Sequence, residues 1–437
     1  MKARGGLAAD SGGTFDAPVR ATSAASSLLE YLRDGAFLNR ARLDGYPKLI
    51  AAIYLAIIAA SIVLGRNPAV SHYVIASDYA KCVAASSLAL DGHAAAAYDH
   101  KSEEAAEREV TGDPEAAFLI WDYPPPFLLF VLPAAMLPYR ASLLAWTLIT
   151  FAGYLVVMGA ITRSHRAWWP IVAFPGAFVT MLDGQNGFIT LALMAGGLML
   201  LERRPIAAGI LLGLLCYKPQ FGILLPLLLM AGGYWRTFVS ATATVVALIA
   251  VTIGLFGGET WRAFFAALPE TNQWLFVQGV GFFKMQSVFG AARMWHASMT
   301  TALALHAIAA VASGAAAWWI WRKPVSWELK AAALMVGTLL ITPYVLDYDL
   351  VLLAAPIAWL ALEGIKSGFL PGEKSILVVA WLLPMWSRWI AMFYAIPLGP
   401  LVLLLTMIAI LRRAMTPGWA SKGSLSGAEQ PETPQIA

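Results

Sequence analysis

The chain has 437 residues, 59% of them hydrophobic and only 13% charged, with a formal net charge of +4. A soluble domain carries about 25% charged residues, so an ordinary water-soluble globular protein is excluded, and so small a net charge gives no argument for nucleic acid. The apolar residues come in continuous runs of membrane-spanning length rather than in alternation, which predicts an all-α polytopic membrane protein and not a barrel.

In chain order, residues 1–45 are polar and mixed, with no apolar core before Leu49. They read as a cytosolic, partly disordered tail and not as a cleavable signal peptide. The membrane domain is expected over 46–414, with about twelve spanning helices near 49–65, 141–161, 168–182, 186–201, 205–217, 221–234, 237–256, 299–321, 329–345, 349–364, 375–390 and 393–411. Several fall short of the ~20 residues a span needs, so some are tilted, broken or partly inserted. The proline-bounded run "PPPFLLFVLPAAMLP" (124–138) is either re-entrant or a short span. Residues 415–437 are rich in Pro, Gly and Ser and are expected to be disordered.

Lys and Arg in short loops set orientation. Placing Arg33, Arg40, Arg42, Lys48, Arg163, Arg166, Arg203, Arg204, Arg236, Arg322, Lys323, Arg412 and Arg413 in the cytosol lets the helices alternate, if 124–138 is re-entrant. Two long loops, 66–123 and 257–298, then face outward, as do the turns "DGQN" (183–186), "YKPQ" (217–220) and "PYVLDYD" (343–349). The unusual polar residues therefore gather on one side. No internal repeat, no CxxC pair of Cys82 and Cys216, and no histidine cluster with metal-ligand spacing is visible in the sequence.

Each polar motif admits a plain and a functional reading. Asp78 opens a helix-like stretch, "SDYAKCVAASSLAL", with Asp78 and Lys81 on one face; the pattern by itself favours an ordinary first-turn acid over a catalytic one. In "WDYPPP", Trp121 and Tyr123 suit an aromatic belt, and the prolines preclude regular helix where the chain returns to the membrane. In "LDGQNGF", a tight turn accounts for Gly184 and Asn186 but less readily for Gln185, beside Asp183. Lys218 lies between two apolar runs with no acid near it in sequence, followed by Pro219 and Gln220. Such a lysine either snorkels to the headgroups or meets an anion in a polar cavity lined by broken helix. The loop 273–290, with Lys284 and Gln286 among aromatics, suits a lid or groove. Asp347 and Asp349, with Tyr344 and Tyr348, stand at a helix start where one of the acids can serve as a cap.

Taken in order, "SDYAKCVAASSLALDGHAAAAYD", "YPPPFLLFVLPAAMLP", the segment Gly184–Gln220, "QSVFG" and "PYVLDYDLVLL" resemble glycosyltransferase family 87, over roughly residues 45–365. The family comprises membrane glycosyltransferases of GT-C fold and includes bacterial mannosyltransferases that use a polyprenyl-phosphate sugar. The resemblance implies an inverting transfer, with mannose the expected sugar, to a glycolipid or glycan hydroxyl at the outer face of a bacterial inner membrane. It implies that Asp78 is the catalytic base, that Lys218, then Arg388 and Lys284, bind the donor phosphate, and that Gln185, Asn186 and Gln220 hold sugar hydroxyls. Tyr123 and Tyr344 would border the sugar, with Asp183, Gln286, Asp347, Tyr348 and Asp349 completing the sugar and acceptor site. Some relatives place a histidine near the last motif; this chain has "VLDYD" there. No cofactor beyond the donor is expected, and the sequence leaves a divalent metal open. The rival reading is a transporter or flippase for a lipid-linked sugar, which the lack of a repeat and the one-sided charges disfavour.

Overall fold

A computed structural model describes residues 22–64, 77–114, 118–278 and 281–416. The expected disorder of 1–21 and 417–437, and the first residues of the expected outer loop (65–76), lie outside the described residues. Among those described, regular structure is helical, apart from one isolated bridge between Met285 and Leu346.

Helix α1 (Thr22–Asp34) lies within the expected tail and meets α2 (Arg40–Leu64) through a turn at Gly35, whose φ of 64° suits only glycine comfortably. The outer-loop stretch folds into α3 (Ser77–Leu90) and α4 (His100–Thr111). Asp99 caps α4 by accepting from the Ser102 N–H at 3.0 Å, and Gly112 ends it in the left-handed region. The run at 124–138 becomes α5 (Pro126–Val131) and a 3₁₀ turn (Leu132–Met136). Together they are too short to cross a ~30 Å apolar layer, and Phe127, Leu128 and Val131 are buried against the α3 region.

The bundle continues with α6 (Tyr139–Thr162), α7 (Trp168–Val172), α8 (Pro175–Asp183), α9 (Gly187–Leu200), α10 (Pro205–Gly213), α11 (Pro219–Gly222) and α12 (Leu224–Ala231). Proline at the first helical positions of α5, α8, α10 and α11 sets φ without wasting an N–H, and outside α6 this segment of the chain is cut into short pieces. Helix α13 (Trp235–Gln273) is broken at Gly257 (φ 78°, ψ 155°) and carries helix well into the stretch expected as a second outer loop. Then come α14 (Val288–Met294), α15 (Met299–Trp321), α16 (Trp327–Ile341), a 3₁₀ segment (Asp347–Leu353), α17 (Ala354–Ser367), α18 (Glu373–Tyr394) and α19 (Leu398–Met415).

Seven helical stretches among the described residues are long and apolar enough to cross a membrane. Three of the other expected spans appear as shorter apolar helices within 187–231, the 168–182 run splits into the still shorter α7 and α8, and α16 has only 15 residues. The difference is physical: proline and glycine cut apolar runs without making them polar, so composition sees a span where the backbone turns. The core centres on α16, whose residues from Ala331 to Val336 are wholly buried. Helix α10 meets α13 through Gly209 and Gly213, where an added Cβ would stand 2.6 Å from the Thr237 carbonyl and 2.7 Å from that of Ala241. This small-xxx-small spacing allows close backbone approach in lipid.

Candidate active site

The first turn of α3, the irregular segment 121–126, the α8–α9 turn and the 343–353 segment converge at one end of the bundle. Gly184, at φ 65°, stops α8 and turns the chain so that Gln185 and Asn186 point inward. Gly176 and Gly187 let the 3₁₀ segment approach: a Cβ on Gly176 would lie 2.9 Å from the Val351 Cα, and one on Gly187 2.7 Å from its Cγ1. Thr180 clamps the same contact by donating to the Tyr348 carbonyl at 3.1 Å.

Three polar assemblies result. In the first, Gln185 donates from Nε2 to Oδ2 of Asp78 at 2.6 Å. Tyr123 donates to Gln185 Oε1 at 3.3 Å and accepts from Asn186 Nδ2 at 2.8 Å. Asn186 Oδ1 is buried with no hydrogen-bond partner among the described residues. One turn along α3, Lys81 donates to Asp122 at 2.7 Å and to the Ile120 carbonyl at 3.3 Å, and its ammonium lies 4.9 Å from the Tyr123 ring centroid.

In the second, Arg388 of α18 reaches Asp183 at 3.2 Å and also ion-pairs with Asp347. Two carboxylates share one guanidinium. Burial pushes Asp183, at the α8–α9 turn, up to about 7, with Asp347 and Asp78 adding to the rise, although Arg388 and Lys284 pull the other way. Half a guanidinium does not offset the loss of water around a carboxylate with an acidic neighbour.

In the third, Lys218 donates to Asp349 at 2.8 Å, with both side chains almost wholly buried. Asp349 Oδ2 accepts from the Leu346 N–H at 3.1 Å, so Asp349 is also the acid that caps this helical start. Lys218 lies 5.2 Å from the Tyr348 ring centroid. The lysine that sequence leaves without an acid thus has one, 131 residues away.

The other expected residues take different places. Lys284 acts on Asp183 through its field and makes no ion pair among the described residues. Gln286 donates to the Lys284 carbonyl at 3.1 Å, and its own N–H donates to the Val345 carbonyl at 2.7 Å, so it pins the 281–287 loop to the 343–349 segment. Tyr344 makes an edge contact with Phe276 at 6.0 Å. Gln220 enters only by its backbone carbonyl, which accepts from Thr342 at 3.2 Å. Lys81 and Asp122 join the site without having been singled out for it. The signal was Lys81, three residues after Asp78, and an acid just before Tyr123.

The loop arginines and lysines expected in the cytosol lie at the opposite end of the bundle from the polar site. Helix α9 starts at the site and ends near Arg203, and α18 starts beside Arg413 and reaches Arg388 about 22 Å later. No three His, Cys, Asp or Glu side chains among the described residues gather as metal ligands. Chemically, the arrangement offers a half-buried carboxylate held by an amide, buried hydrogen-bonding groups and several cations within a short span. The sequence model of glycosyltransferase family 87 matches residues 121–343, just over half of the chain. No curated protein and no solved structure matches it.

Proposed function

The chain belongs to glycosyltransferase family 87 and is a membrane glycosyltransferase, and from that premise we propose that it moves a sugar, with mannose first, from a polyprenyl-phosphate donor to a hydroxyl of a glycolipid or glycan. Asp78 takes the proton from the acceptor hydroxyl, whose oxygen attacks the anomeric carbon. The bond from that carbon to the phosphate oxygen breaks, and polyprenyl phosphate leaves with its electron pair. One displacement inverts the anomeric configuration. The observation that carries this reading is the hydrogen bond from Gln185 to Asp78, which orients a carboxylate beside Tyr123 and Asn186.

Electrostatics ranks the cations for the leaving phosphate. Lys218 has its charge matched by Asp349 in a buried pair. Lys284, with no acid committed to it among the described residues, is the better partner for a phosphate, and Arg388, although two carboxylates share its charge, is 23% exposed and so more reachable than Lys218. Lys218 then steadies the segment that carries Tyr344 to Asp349. The orphaned Asn186 Oδ1 suits a sugar hydroxyl as donor. The fold is of GT-C type, the basic end is cytosolic and the site opens to the periplasm of a bacterial inner membrane, as the placement of Arg and Lys favours. The purified chain in proteoliposomes, given radiolabelled polyprenyl-phosphate mannose and, separately, a nucleotide-linked mannose, tests it. Label should move from the polyprenyl donor alone, giving a product anomer opposite to the donor's by NMR. Transfer from the nucleotide sugar, or retention, would contradict the reading.

A further inference from the structure

We infer that α1 lies in the headgroup plane of the leaflet at which α2 begins and is an in-plane anchor for anionic phospholipid. On a helical projection Leu28, Leu29, Tyr31 and Leu32 share one side, while Glu30, Arg33 and Asp34 share the other. Among the described residues the leucines of the apolar side are largely uncovered, Leu28 being 58%, Leu29 68% and Leu32 45% exposed. Three leucines and a tyrosine together on a short helix are costly to hold in water and suit the boundary between headgroups and acyl chains.

The height of α1 is fixed by its C-terminal end. The Arg33 carbonyl accepts from the Gly372 N–H at 2.6 Å, the Asp34 carbonyl accepts from Lys374 at 3.3 Å, and the Leu32 carbonyl accepts from Ser375. These donors form the first turn of α18, one of the seven helices fit to cross a membrane. Gly35 packs so tightly on Lys374 that a Cβ there would lie 2.6 Å from the lysine Cβ. Arg42 closes the other side of the turn by donating to the Phe37 carbonyl at 2.8 Å. Helix α1 is thus held beside the points where α2 and α18 start.

The same plane bears the marks of a headgroup layer. Trp169 lies at the start of α7 with Lys48 5.8 Å from its ring centroid, and Tyr46, Trp168 and Trp169 are exposed. Arg40 and Lys48 are exposed on the first half of α2, and Arg412 donates to the Pro371 carbonyl at 2.9 Å on the far side of the α18 turn. With Arg33, Arg42 and Lys374, the cations around α1 outnumber Glu30, Asp34 and Asp44. That balance selects an anionic over a zwitterionic leaflet.

Spin labels test this in the full chain, reconstituted in nanodiscs of phosphatidylcholine and phosphatidylglycerol, through the single substitutions Leu29→Cys, Leu32→Cys and Glu30→Cys. The unsubstituted chain, with Cys82 buried and Cys216 half-buried, sets the background. Labels at 29 and 32 should collide with oxygen several-fold more than with a water-soluble nickel chelate, and the label at 30 should do the reverse. Exposure of all three to the chelate would place the helix in water. Shielding from both reagents would mean that a protein surface or a second copy covers it. Either result overturns the inference. Replacing phosphatidylglycerol by phosphatidylcholine should reduce the oxygen preference at 29 and 32; an unchanged preference overturns the assignment to anionic lipid.

Discussion

Replacing Lys218 by methionine removes the ammonium from a pair whose side chains are 4% and 3% exposed and leaves the Asp349 carboxylate buried with the Leu346 N–H as its remaining partner. Breaking a buried pair from one side costs about 3–5 kcal/mol, because the surviving charge has neither water nor a counter-ion. The double change Lys218→Met with Asp349→Leu removes both charges, and such replacements are nearly neutral, so most of that loss should return as a coupling term of a few kcal/mol. Reversible unfolding by SDS in mixed micelles gives the three differences against wild type. Transfer measured on the same samples separates the roles: if Lys218 only steadies the 343–353 segment, the double variant regains activity along with stability. A single variant that loses less than about 1 kcal/mol would refute the burial argument. A stable but inactive double variant would mean that Lys218 or Asp349 meets substrate, as the sequence alone had suggested for both.

Three further outcomes follow from other contacts. Burial raises Glu107 of α4 to about 8 from an ordinary 4.5, so the folded state holds a proton that the unfolded chain has lost. Stability should therefore fall as pH rises from about 4.5 through about 8, and Glu107→Gln should flatten that part of a melting-temperature profile; an unchanged slope would contradict it. Gly213→Ala places a Cβ 2.7 Å from the Ala241 carbonyl and should cost about 1–3 kcal/mol of overpacking by SDS unfolding, whereas alanine at Gly222, where nothing lies within 4 Å of the added atom, should escape that steric cost. Gln185→Leu removes the 2.6 Å hydrogen bond to Asp78 and should lower kcat roughly tenfold to hundredfold with little change in KM. A rise in KM alone would mean that the amide binds sugar and does not position the base.

What sequence could reveal divides along contact range. The long apolar runs announced α2, α6, α13, α15, α18 and α19, because burial in lipid demands length and hydropathy that composition records directly. The 126–231 segment was less legible, since Pro175 restarts a helix inside the run read as one span at 168–182 and the runs that follow form helices too short to cross a membrane unaided. Asp78, Gln185 and Asn186 stood out as polar residues at turns between apolar segments, and they do meet. Their geometry was hidden because it is set by distant chain: Gln185 reaches Asp78 across 107 residues and Arg388 reaches Asp183 across 205. Lys218 illustrates the same limit, since its isolation in sequence suggested an anion from outside while the fold supplies Asp349. Lys81 was visible beside Asp78, yet its weight comes from Asp122, 41 residues on, and from the Tyr123 ring.

The most direct test of the central claim is the rate of sugar transfer from polyprenyl-phosphate mannose by Asp78→Asn, against wild type at matched amounts of folded protein. Asparagine keeps the shape, and its Oδ1 can still accept from Gln185 Nε2, but it cannot take a proton. If Asp78 is the base, transfer falls about a hundredfold to ten-thousandfold while the unfolding curve stays in place. If the variant transfers sugar as fast as wild type, Asp78 is a first-turn acid of α3, and the base lies elsewhere.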